Sequence, residues 1–206
     1  MLMKEINVGY FKSFGVKEIN QARDAFLNEH PDIKVNLIPL YQDQMEDALD
    51  EGKIDLAFTD KRDNDFESYQ VIPLAEIGIV VLLQAGNFML GQQTIELDEL
   101  KAIPNMLIAK TDEEAGELHY HKDILGIKSP FIAVDSFNEA ALMATSGSGY
   151  FLMNENTADL LGNDQLQKMF VLKNGKQLRQ EYIAVTKKRV DKEIMDFIDQ
   201  LKTTLN

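Results

Sequence analysis

Apolar runs alternate with amphipathic helical stretches along this chain, and that alternation predicts an α/β fold on a mainly parallel sheet. Parallel strands need a crossover between them, and helices supply it. The first observation is the strand, helix, strand, helix, strand spacing of residues 6–59. The second is a further series of short strands and capped helices from about residue 84 onward. The third is a final strand and helix after a hairpin signal, placed so that they can return to the first half. Two such halves predict two lobes sharing one cleft, with a ligand near the carboxyl ends of the parallel strands.

Residues 6–11 (INVGYF) are a short apolar run and read as the first strand, with Gly9 marking a close approach or a bend. Val16, Ile19, Ala22 and Phe26 then recur at helical spacing between charged residues. His30-Pro31-Asp32 ends that helix, because the residue before a proline avoids the α region. Ile33–Leu40 alternates and is rich in β-branched residues, so it is the second strand. Asp43-Gln44-Met45-Glu46 has a capping-box pattern, with Met45 and Leu49 facing inward and Gly52 as a left-handed cap. Residues 54–59 (IDLAFT) are the third strand, and the polar stretch 60–68 is a loop.

Residues 69–74 and 77–83 read as two further strands, and 94–100 as a short helix or turn. A strand over 106–109 precedes Thr111-Asp112-Glu113-Glu114, a second capping-box pattern. A strand over Phe131–Val134 precedes the cleanest capping box, Ser136-Phe137-Asn138-Glu139, which opens a helix through 144. Gly147-Ser148-Gly149 ends it before a strand over 150–153. Asn174-Gly175, between 170–173 and 181–186, signals a hairpin. The last helix carries Val190, Ile194, Phe197, Ile198, Leu201 and Leu205 on one stripe.

Charge bounds the partners. The chain has 206 residues with 21 Lys and Arg against 34 Asp and Glu, a formal net charge of −13. Nucleic-acid binding rests on Lys and Arg displacing counterions from phosphates, so a chain this acidic mostly repels DNA. It has no Cys, which removes disulfides and thiolate chemistry. Asn7, Lys12 and Lys17 interrupt the early apolar residues, so no signal peptide is read. The longest apolar run, around 77–83, is far short of the roughly 20 residues that span a bilayer. The expected setting is the cytoplasm, with no membrane partner and no cofactor.

Catalytic templates fail in turn. Residues 145–150 (TSGSGY) lack the glycine two residues before Ser148 that a nucleophile elbow needs. No phosphate-binding glycine loop is present. His119 and His121 would share a face on a strand and could ligate a metal, but no third ligand is evident and they read as polar surface residues. Asp60, Asp63 and Asp65 resemble part of a calcium loop but lack its glycine and terminal Glu, so a solvated loop is expected.

The informative residues lie where strands hand over to helices. Lys12 and Ser13 follow the first strand, and Tyr41 and Gln42 the second. Lys110 and Thr111 follow Ile108, and Ser136 and Phe137 follow the strand ending at Val134. Helix N-termini carry unpaired N–H groups and partial positive charge, so such turns receive anions. Capping is the plain role of Ser136 and Thr111. Convergence of all four turns would make a small-anion site.

The order of these pieces resembles a known family. Strand with Gly9-Tyr10, helix, His30-Pro31-Asp32, alternating strand, short helix, then Gly52-Lys53-Ile54-Asp55-Leu56 is similar to the effector-binding domain of LysR-type transcriptional regulators. Pro73-Leu74, residues 95–100 (IELDEL), 134–139 (VDSFNE) and 145–152 (TSGSGYFL) extend the likeness over essentially the whole chain. The resemblance implies a type 2 periplasmic-binding-protein fold with two lobes, two crossing strands and a small effector in the interlobe cleft. The lobes would be 1–81 plus 184–206, and 82–183. It implies a missing N-terminal helix-turn-helix as the only route to DNA, so that an isolated regulatory domain is expected. It also implies a homodimer, with the helix near 16–27 as the contact. Ser13 matches the hydroxyl after the first strand that contacts effector in many members. Tyr41 or Gln42 stands where Thr or Ser is common. Lys110/Thr111 and Ser136/Phe137 match the second-lobe turns. Lys12 has no consistent counterpart, though a cation there suits an anionic effector. Asn154 departs from the proline usual near that point. Two other readings are an exported solute-binding protein of this fold, which needs a signal peptide or lipid-anchor Cys, and an enzyme, which needs a catalytic constellation.

Overall fold

A computed structural model describes residues 4–11, 15–63, 66–159 and 161–206. In chain order the elements are β1 (Lys4–Phe11), α1 (Val16–Glu29), β2 (Ile33–Leu40), α2 (Met45–Asp50), β3 (Leu56–Asp60) and β4 (Gln70–Gln84). Then come β5 (Thr94–Glu96), α3 (Leu97–Leu100), β6 (Asn105–Ile108), α4 (Glu114–His119), β7 (Phe131–Val134), α5 (Phe137–Thr145), β8 (Phe151–Asn154) and α6 (Glu155–Ala158). The last are β9 (Leu166–Lys173), β10 (Lys176–Gln177), β11 (Arg179–Thr186) and α7 (Lys192–Leu205). The chain forms two compact units, 1–76 with 181–206, and 77–180. β4 and β11 each contribute residues to both.

In the first unit the strand order is β11-β3-β1-β2. β1 runs parallel to β2 from Lys4↔Ile33 to Phe11↔Leu40, and parallel to β3 from Val8↔Leu56 to Tyr10↔Phe58. The carboxyl ends of β1, β2 and β3 therefore lie along one edge. β11 is antiparallel to β3, with Thr186 opposite Leu56. On one sheet face α2 buries Met45, Ala48 and Leu49 against Phe11, Ile54 and Ala57. Elsewhere in the unit α1 meets α7, where Phe26 and Phe197 pack edge to face at 5.3 Å. Gly9 is a close approach: a Cβ there would lie 2.6 Å from the Ile54 side chain. Gly52 (φ 69°) ends α2 as expected, with Lys53 N–H donating to Ala48 at 2.9 Å and Gly52 N–H to Leu49 at 3.2 Å.

β4 is one strand where the sequence reading has two. Its first half alternates exposed and buried, and Ile77–Leu83 is buried without interruption. The change of pattern marks a change of environment rather than a break, since a strand covered on both faces loses its alternation. In the second unit β4 lies between β8 and β9, antiparallel to both. β6 and β7 pair in parallel from Asn105↔Phe131 to Ile108↔Val134, and a bridge from Asn105 to Tyr150 joins them to the segment entering β8. Thr94–Glu96 is a strand parallel to β9, not the expected helix or turn, and α3 is only the last four residues of that stretch. Asn174-Gly175 does turn a hairpin, but its partner strand is the short β10. Residues 181–186 instead pair with β3 in the first unit. The apolar residues of this unit form two clusters, one around Ile79, Val81, Tyr150 and Val171, the other around Val80, Leu82, Phe151 and Ala144. Among the described residues no helix is long and apolar enough to cross a membrane.

Candidate functional site

Consider first the carboxyl edge of the first unit. Lys12 and Ser13, the turn after β1, lie outside the described residues. Tyr41 and Gln42 form the turn after β2. The turn opens at Tyr41, earlier than the expected Asp43 cap: Tyr41 N–H donates to the Gln44 side chain at 3.0 Å, and Gln44 N–H returns to Tyr41 O at 3.1 Å. The Gln42 amide is engaged by the end of β3. Its Nε2 donates to Asp60 O at 3.3 Å, and the Thr59 hydroxyl donates to its Oε1.

That neighbourhood holds residues the sequence reading missed. Asp60 is fully buried at the end of β3, not part of a solvated loop. Arg62 Nε donates to its two carboxylate oxygens at 3.1 and 3.3 Å. The Arg62 side chain is only 6% exposed and its guanidinium stands 5.1 Å from the centre of the Phe11 ring. Burying a charge is costly unless it is paired, and this one is paired. In sequence, Asp60-Lys61-Arg62-Asp63 looks like any polar loop, and only the fold separates the buried members from the exposed Lys61. Asp65 lies outside the described residues.

The second unit presents two adjoining turns. Ile108 and Val134 are register partners at the ends of β6 and β7, and Ala109 N–H donates to Val134 O at 3.1 Å. The chain leaves these neighbouring ends through Lys110-Thr111 and through Asp135-Ser136. Ser136 caps α5 as expected: its Oγ accepts from Glu139 N–H at 3.2 Å. The return contact goes one residue earlier than the usual box, from Asp135 N–H to Glu139 Oε2 at 3.0 Å. Phe137 follows, half-buried, and stacks edge to face on Phe151 at 5.4 Å. The Thr111 cap does not form. Glu113 Oε2 instead accepts from Lys110 N–H at 3.2 Å and α4 starts at Glu114, which leaves Lys110 and Thr111 exposed. Nearby along the strand order, β8 ends at Asn154, whose Oδ1 caps α6 by accepting from Thr157 N–H at 2.9 Å. Glu155 accepts from Gly78 N–H at 3.0 Å.

Two further expectations change. The segment with His119 and His121 is helical, so the two rings do not share a strand face. His121 is buried, with Nδ1 2.7 Å from Asn105 Oδ1, whereas His119 is exposed beside Asp123 at 2.9 Å. Among the described residues no three His, Asp or Glu side chains come together as a metal site.

The sequence matches the family described as LysR substrate binding domain over residues 2–206. The chain belongs to that family. The family and its solved neighbours are regulatory effector-binding domains of transcription regulators, not enzymes. This LysR domain superposes on a BenM effector-binding domain solved with its effector benzoate at a TM-score of 0.77 and 18% identity, covering 98% of this chain and 92% of that one. It is similar to an OxyR regulatory domain from Pseudomonas aeruginosa (TM-score 0.77, 13% identity, 98% of each chain). It is also similar to HinK, a LysR family regulator from the same organism (0.76, 19%), covering 100% of this chain and 72% of that one. These identities carry the two-lobed periplasmic-binding-protein-like fold and nothing finer. No curated protein matches this LysR domain.

Proposed function

We propose that this domain is the ligand-sensing part of a cytoplasmic LysR-type regulator, binding a small, anionic effector in the cleft between its lobes. The second-lobe contacts are Lys110, Thr111, Ser136 and Phe137. The first-lobe contacts are Lys12, Ser13, Tyr41 and Gln42, with the Gln42 amide braced by Thr59. The observation that carries the reading is the pair of turns leaving the adjoining ends of β6 and β7, within a domain that matches the family along its whole length. Hydroxyls beside helix starts at strand carboxyl ends suit a carboxylate. The effector acts by favouring one of two arrangements, of the lobes or of a homodimer, and only through its differential affinity for them. A helix-turn-helix outside this chain converts the change into altered DNA binding.

A thermal-shift screen against benzoate, other small carboxylates, amino acids and metabolites tests this. A ligand at a hundred times its dissociation constant adds about 2.7 kcal/mol of stability. The expected result is a carboxylate hit whose affinity falls at least about tenfold, or ~1.4 kcal/mol, in Ser13→Ala and Thr111→Ala. A hit whose affinity neither substitution alters would overturn the cleft assignment.

A further inference from the structure

The edge of the first unit opposite its strand carboxyl ends carries a different surface. β11 runs antiparallel to β3 and finishes opposite its first residue, so the connection from β11 to α7 lies at the amino ends of β1 and β3. That connection reads Lys187-Lys188-Arg189-Val190-Asp191-Lys192, the longest run of cations in a chain of net charge −13. Lys187, Lys188, Arg189 and Lys192 are all exposed.

Local chemistry does not neutralise them. The two nearby carboxylates, Asp191 and Glu193, are both held by Lys4, each at 2.8 Å. Among the described residues no ion pair forms at Lys187, Lys188, Arg189 or Lys192, although the chain has carboxylates to spare. Adjacent like charges repel, and Lys192 opens α7, where the helix dipole disfavours a cation. Asp191 at the N-cap and Glu193 in the first turn answer the dipole of α7, but neither pairs with these four cations.

We propose that this basic connection is a docking surface for an acidic segment of a partner protein. Complementary charge brings such a partner in and fixes its orientation. A DNA duplex fits less well. It is a charged rod that must continue past the patch along an otherwise acidic domain, whereas a short cluster of carboxylates need meet only the patch. At physiological salt, charges further apart than about 8 Å are largely screened, so a compact acidic segment feels the four cations and little of the remaining surface.

The probe is a poly-glutamate peptide titrated into the isotope-labelled chain and followed by amide NMR. Shifts are expected to be confined to residues 186–193 and Lys4, and to fade as salt is raised. Lys187→Glu/Lys188→Glu/Arg189→Glu should bind at least about tenfold more weakly while melting like the parent, since those side chains are exposed and unpaired. Lys188→Ala/Arg189→Ala gives the same test without charge reversal. Shifts scattered over the surface, or an affinity that neither variant changes, would overturn the proposal. So would tighter binding of a short DNA duplex to the patch, or low-salt self-association that the reversal abolishes, which would make a second copy the occupant.

Discussion

Asp60 and Arg62 are the two residues whose placement most alters the reading of the first unit. Both side chains are shut away from water and they pair with each other. Arg62→Met takes the guanidinium away from a buried carboxylate and should cost about 3–5 kcal/mol, read from urea unfolding. The double variant Asp60→Leu/Arg62→Met should recover much of that loss, because it removes the buried carboxylate together with its cation. If the double variant were no more stable than the single one, the pair would not be acting as a buried unit. Neither residue could be singled out beforehand, since polar residues after a strand are ordinarily solvated. Ser136 is the opposite case. A serine ahead of an apolar stretch, with glutamate three residues on, has one obvious local use, and it is put to that use. Thr111 carries the same signature and is not, because the Glu113 and Glu114 N–H groups donate to Lys110 O instead.

Among the elements, the glycines separate backbone demand from crowding. Gly175 sits in the β9–β10 turn at φ 74° with nothing near the position of a Cβ, so Gly175→Ala should cost ~1 kcal/mol from backbone strain alone. Gly116 lies in α4 with equally open space and no left-handed φ, so Gly116→Ala should gain about 0.5–1 kcal/mol. Thermal melts of the two variants should move in opposite directions, and a common direction would contradict both placements. The same scale shows where periodicity misleads. β4 looks like two strands because its burial changes along its length. β5 looks helical because its three residues are too few to display a period of two.

For the whole molecule, folding stability carries a high-pH limit. Burial, reinforced by the Asp50 carboxylate, pushes the Tyr69 phenol up to about 12, and burial does the same to Tyr150 despite its hydrogen bond to Ser129 at 2.8 Å. The folded state thus holds protons that an unfolded tyrosine releases near pH 10. Their contribution is full below pH 10 and is lost as pH rises towards 12. Urea midpoints should fall across that interval, and less steeply in Tyr150→Phe. A midpoint independent of pH there would sink the assignment. The amino-acid sequence by itself determined the alternation of elements, the C-terminal end of α2, the ends of α5, the acidity of the chain and its family. These follow from periods of two and 3.6, from left-handed glycines and from capping side chains, all of which act within a few residues. Tertiary structure alone decided that β4 is continuous and that residues 181–186 leave their hairpin to pair with β3. It also buried Asp60, Arg62 and His121 and left the cations of 187–192 without partners. Those outcomes depend on which distant strands and charges become neighbours, and no local pattern encodes that.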